Sequence, residues 1–110
     1  MKQLRLYQGY SSTEAKDLYD KVLHDMGQYG VLYQGEDIRK FTDSPFDIIK
    51  SKALVVLDHT NGQGKFDWNG LLNKLYSNWK NEFRCSVLIF TNEHISKTLQ
   101  RDPKIEYKHK

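Results

Sequence analysis

Two uninterrupted apolar runs, Ala53–Leu57 (ALVVL) and Val87–Phe90 (VLIF), constrain this chain more than any other feature. A half-buried strand alternates apolar and polar residues, so a continuous run has neither side facing water. That pattern suits the central strands of a parallel sheet covered on both faces. Both runs are far shorter than the roughly 20 apolar residues needed to cross a bilayer. No signal peptide is evident either, and a cytoplasmic location is expected.

The remaining pattern supplies the covering helices. Ser12–Gly27 carries Ala15, Leu18, Tyr19, Val22, Leu23 and Met26 at helical spacing, one apolar stripe. Ser11 or Ser12 can cap its start, Glu14 suits its first turn, and Gly27 can end it in a left-handed cap. Phe66–Glu82 is a second amphipathic segment, with Trp68, Leu71, Leu72, Leu75, Tyr76 and Trp79 on one side. Lys2–Gln8 and Val31–Tyr33 read as strands. Glu36–Phe41 reads as a short helix ended by Pro45, and Phe46, Ile48 and Ile49 form an apolar cluster before the next strand. Thr60–Lys65 is a glycine-containing loop, Cys85–Phe90 a strand, Ile95–Gln100 a short helix and Lys104–His109 an edge strand. Alternation of this kind predicts a three-layer αβα sandwich around a mostly parallel sheet of about five strands.

The 110 residues suit one domain, and 38% hydrophobic with 13% aromatic residues can build a core. Lys and Arg number 17 against 14 Asp and Glu, a formal charge of +3. The basic residues are scattered except in the tail at Lys104, Lys108 and Lys110, which argues against a dedicated nucleic-acid binder. Cys85 is the single cysteine, so no internal disulfide forms, and its place at the head of an apolar run reads as a buried strand thiol.

The order of segments resembles a known family. Leu6 to Phe41 (LYQGYSSTEAKDLYDKVLHDMGQYGVLYQGEDIRKF) is similar to the first strand, phosphate-loop region, first helix and second strand of AAA+ ATPases, and most of all to the bacterial replicative-helicase loaders. PFDIIKSKALVVLDHTNG resembles their approach to the Walker B strand, which ends here in Asp58. WNGLLNKLYSNWKNEFRCSVLIFTN resembles their next helix and sensor-1 strand, which ends here in Thr91-Asn92. The resemblance implies a truncated AAA+-like domain over residues 1–110 with no lid domain.

The catalytic motifs depart from the family pattern. A phosphate loop needs G-x-x-x-x-G-K-[ST], so that backbone N–H groups and a lysine hold the phosphates and a hydroxyl holds Mg²⁺. Here the chain reads Gly9-Tyr10-Ser11-Ser12-Thr13-Glu14. Gly9 can stand at the loop start and Thr13 at the hydroxyl position, but the loop is short, lacks a second glycine and has Ser12 where lysine belongs. Asp58 is followed by His59 rather than a second acidic residue. Asp58 reads either as an Mg²⁺ ligand or as a cap for the loop after it. Asn92 matches the sensor position, and Arg101 falls in the region of the family's inter-subunit arginine. Gly9, Thr13, Asp58 and Asn92 are therefore relic positions. Neither catalysis nor a cofactor or metal is expected, since a triphosphate requires several converging donors and a cation. A zinc site from Asp58, His59 and His94 lacks any short ligand spacing.

What the resemblance implies is an interaction protein. A domain that keeps the shape of an AAA+ subunit without its chemistry can dock on a host replication protein, the helicase loader or the replicative helicase. Such a protein, encoded by a phage or mobile element, would interfere with replication initiation. Tyr10, Tyr29 and Tyr33 in or beside turns, with Arg101, are the candidate contact residues. The alternatives are a single-stranded-DNA accessory factor using the Lys tail, with nucleic-acid contact weak, and a surviving Asp58-dependent enzyme. Self-association into a homodimer is a further option, and no membrane partner is expected.

Overall fold

The computed structural model describes residues 4–62, 65–78 and 85–110, the side chains of 76–78 excepted. Five strands form one all-parallel sheet: β1 (Leu4–Gln8), β2 (Gly30–Gln34), β3 (Leu54–His59), β4 (Ser86–Thr91) and β5 (Ile105–His109). Their order across the sheet is β2-β3-β4-β1-β5. Helices α1 (Ser12–Met26), α2 (Ile38–Asp43), α3 (Pro45–Ser51), α4 (Trp68–Asn78) and α5 (Lys97–Gln100) complete a three-layer αβα sandwich.

The two apolar runs occupy the positions that their composition demands. Every residue of β3 is buried, as are Val87–Thr91 of β4, because both strands have neighbours on each side and helices above and below. β5 lies at the edge beside β1, in the register Leu6↔Tyr107. The short runs also exclude a spanning helix: none in the described residues is long and apolar enough to cross a membrane.

Local chemistry sets the helix ends. Ser11 and Glu14 form a reciprocal capping box at the start of α1. Gly27 ends α1 at φ 55°, ψ −128°, a conformation open to glycine but distinct from the expected left-handed cap. Pro45 does more than stop α2. It occupies the first turn of α3, where its missing N–H has no intrahelical role, so the apolar cluster Phe46, Ile48, Ile49 is helical. The second amphipathic helix begins at Trp68 rather than Phe66. Its expected apolar positions Tyr76 and Trp79, and its extension to Glu82, lie outside the described side chains and residues.

The two sheet faces are covered unequally. On one, Ile38, Phe41, Ile49, Trp68, Leu71, Leu72, Leu75 and Leu99 from α2–α5 pack on Leu6, Val55, Leu57, Val87 and Ile89. On the other, Ala15, Tyr19 and Leu23 of α1 pack with Leu54, Val56, Leu88 and Phe90. α1 lies over β2 and β3. Its apolar stripe is therefore only half buried. Leu18, Val22 and Met26 remain 47%, 38% and 38% exposed, because the described residues place no second helix beside them.

Candidate functional site

In open parallel sheets, ligands meet the carboxyl ends of the strands, and Gly9, Asp58 and Asn92 fall there. Asp58 is the next-to-last residue of β3 and is 5% exposed. Its Oδ2 accepts a 2.7 Å hydrogen bond from the Tyr19 hydroxyl. Its Oδ1 accepts from the Thr60 N–H at 3.0 Å and the Thr60 hydroxyl at 2.6 Å. An aspartate commonly caps the backbone two residues on, and the Thr60 contacts are that turn. Three donors thus occupy a carboxylate with about four lone-pair sites.

Tyr19 reaches Asp58 from the middle of α1. Gln34 Nε2 donates to its hydroxyl at 3.2 Å, extending the buried Tyr19–Asp58 contact to an exposed residue at the end of β2. Burial, then the hydrogen bond to Asp58 and that residue's charge, push the Tyr19 phenol well above its ordinary value. It therefore stays a donor throughout the physiological range. A polar cleft of about 280 Å³ opens beside this contact, lined by Gln34, Gly35, Asp58 and Asn61.

Asn92 meets the β3 end through Thr60, whose carbonyl accepts from Asn92 Nδ2 at 3.4 Å. Gly9 adopts φ 83° and donates its N–H to the Thr91 carbonyl at 3.2 Å. Asp58, Asn92 and Gly9 therefore gather at one end of the sheet. Thr13 stands exposed on the first turn of α1, where Ser11 and Glu14 are already engaged in the capping box.

The histidines do not converge with Asp58. His59 points to the opposite face, with Nδ1 3.6 Å from Glu93 Oε1 and its ring packed near Phe66 and Trp68. Glu93 also accepts the Phe66 N–H, at 2.8 and 3.0 Å to its two oxygens, so it ties the loop before α4 to the end of β4. His24, His94 and His109 are exposed, and among the described residues no three His, Cys, Asp or Glu groups come together as metal ligands. Cys85 is buried immediately before β4, and burial pushes its thiol up to about 12.

The four candidate contact residues do not form one patch. Tyr10 follows β1 at the carboxyl end of the sheet and is half-buried, edge-on to Tyr7. Tyr29 precedes β2 at the other end and is 56% exposed. Tyr33 is half-buried in β2 against Phe41. Arg101 is exposed after α5, towards the β5 edge. In the Lys tail, Lys110 pairs with Glu14 and Lys108 with Glu106.

Sequence reasoning missed Tyr19, Thr60 and Glu93. Tyr19 carried a signal: a tyrosine at the centre of an apolar helix stripe brings a hydroxyl that must find a partner once buried.

No protein-family model, curated protein or solved structure matches the chain.

Proposed function

We propose that this chain is a non-catalytic protein-binding protein of phage or mobile-element origin. It docks on the bacterial helicase loader, or on the replicative helicase, and interferes with initiation of DNA replication. The observation that carries the reading is the state of Asp58. A Walker B aspartate has to offer its lone pairs to Mg²⁺ or to water on the metal. Here Tyr19 and Thr60 already occupy the carboxylate, and it serves to pin α1 and the Thr60 turn to the end of β3.

The sheet order supports the same reading. The resemblance expects the Asp58 strand and the Asn92 strand to be neighbours, and β3 does lie beside β4 in the register Asp58↔Phe90. A chain with this arrangement keeps a subunit-like shape around a site with no phosphate-binding lysine.

The test is co-purification. The tagged chain is mixed with purified bacterial helicase loader and, separately, with replicative helicase. Stable co-elution with one of them, together with slowed helicase loading in a reconstituted assay, is the expected result. Elution apart from both, at tens of micromolar protein, would overturn the reading.

A further inference from the structure

We propose that the groove beside α1 is a docking site for one amphipathic helix of a partner protein, apolar along one stripe and acidic along the flank that meets β1 and β5. This deepens the protein-contact reading above by giving that contact a location and a chemistry.

The groove has a volume of about 300 Å³. Its wall is the exposed edge of α1, where Leu18, Val22 and Met26 recur every fourth residue and so stand above one another. Its floor includes Tyr7 and Leu88 on the sheet. Three features specify the occupant. The first is breadth. α1 lies over β2 and β3, and its Tyr19 also meets Phe90 of β4, so the strip beside it runs from β4 across β1 to the edge at β5, two strand spacings or roughly 10 Å. One helix is about 10 Å across.

The second is area. α1 has 15 residues and is therefore about 22 Å long. A strip of that length and one helix wide offers a footprint of roughly 220 Å². Stable dimers bury about 800 Å² per partner, so the groove suits a single helix better than a second copy of this chain.

The third is charge. On the β1/β5 side two cations share one anion. Arg5 Nε lies 3.3 Å and Lys108 Nζ 3.6 Å from the Glu106 carboxylate, and Lys108 also lies over the Tyr7 ring at 5.8 Å. Arg5 Nε is buried and, despite that proximity, makes no hydrogen bond. This rim carries two cations against one anion, and an Asp or Glu on the incoming helix balances the excess, most directly at the exposed Lys108.

The probe is a synthetic helical peptide with leucines at positions i, i+3, i+4 and i+7 and glutamates along one flank. Its twin carries lysines in their place. Both are titrated into the ¹⁵N-labelled chain. The glutamate peptide is expected to shift the amides of Leu18, Val22, Met26, Arg5, Leu88 and Lys108, and to bind more tightly than its twin. Val22→Glu, at a position exposed enough to leave the fold intact by circular dichroism, should weaken it about tenfold. Lys108→Glu should reverse the preference between the two peptides. The proposal is overturned by an absence of shifts at these amides, by shifts centred elsewhere, or by equal affinity for both peptides. It is equally overturned by a self-associated chain that Val22→Glu dissociates in sedimentation equilibrium, which would make the occupant a second copy. Peptide binding in the groove combined with no affinity for loader or helicase would remove the replication reading and leave this one standing.

Discussion

The Tyr19 hydroxyl and the Asp58 carboxylate are joined by a 2.7 Å hydrogen bond inside the protein, 39 residues apart in the chain. This contact fastens α1 to the end of β3 and gives the buried carboxylate a structural part.

Replacing Tyr19 by Phe removes the donor and leaves the buried carboxylate short of a partner. The expected loss is about 2 kcal/mol, within the range for hydrogen bonds to charged groups. Urea denaturation measures it. A double-mutant cycle with Asp58→Ala should give a coupling energy of the same order, and additive effects would show that the two residues do not act together.

Nucleotide should leave stability unchanged. A ligand that binds only the folded chain raises its melting temperature according to its concentration relative to Kd. Thermal melts with millimolar ATP and Mg²⁺ should overlay those without. A rise that disappears in Asp58→Ala would show that nucleotide binds at this carboxylate.

Alkaline pH should destabilise the fold through Cys85 and Tyr19. Cys85 is raised from 9.0 to about 12 by burial, and Tyr19 is raised as well. Both are neutral when protonated, so the folded state holds protons that the unfolded state releases. Their contribution is fully present below pH 9, the Cys85 reference value. It is lost as pH rises towards the folded-state values. Cys85→Ala should flatten the decline between about pH 9 and 11 by up to roughly 1.4 kcal/mol per pH unit. Denaturation midpoints across that range decide it, and parallel curves for both proteins would refute the assignment.

Gly9→Ala should cost about 1 kcal/mol. A Cβ there meets only ordinary contacts, the nearest being His109 Cε1 at 3.7 Å, so the cost arises from φ 83°. The substitution should leave binding to any replication partner untouched. Gly9 is thus retained for the turn out of β1, whether or not a phosphate was ever held there.

Much of the architecture was legible because it rests on periodicity and on continuous apolar runs. ALVVL and VLIF are too apolar for an edge, and they are central strands. A serine cap with Glu14 in the first turn is a local pattern, and the structure settles the cap on Ser11 and joins the two residues in a capping box. Side-chain networks were less legible. Tyr19 was read as one more apolar residue because its spacing says which face it occupies and nothing about where its hydroxyl ends. Pro45 was read as a stop, although the same missing N–H makes it a good helix start. The exposed edge of α1 could not be foreseen either. The stripe is as wide as a buried helix needs, and only the sheet order shows that, among the described residues, no second helix covers the neighbouring surface. The candidate contacts Tyr10, Tyr29, Tyr33 and Arg101 were chosen by residue type, which carries no information about whether they share a surface.

The position of β1 between β4 and β5 has a consequence during synthesis. Of the five described strands, the first to be made hydrogen-bonds only with the last two, so its pairing register Leu4↔Val87 waits until the chain has been made past residue 87. Until then Leu4, Leu6 and Tyr7 have no strand to pair with, and their apolar side chains stay uncovered. A ribosome stalled before β4 should therefore display a protease-sensitive intermediate, and one halted after β5 has cleared the exit tunnel a resistant domain.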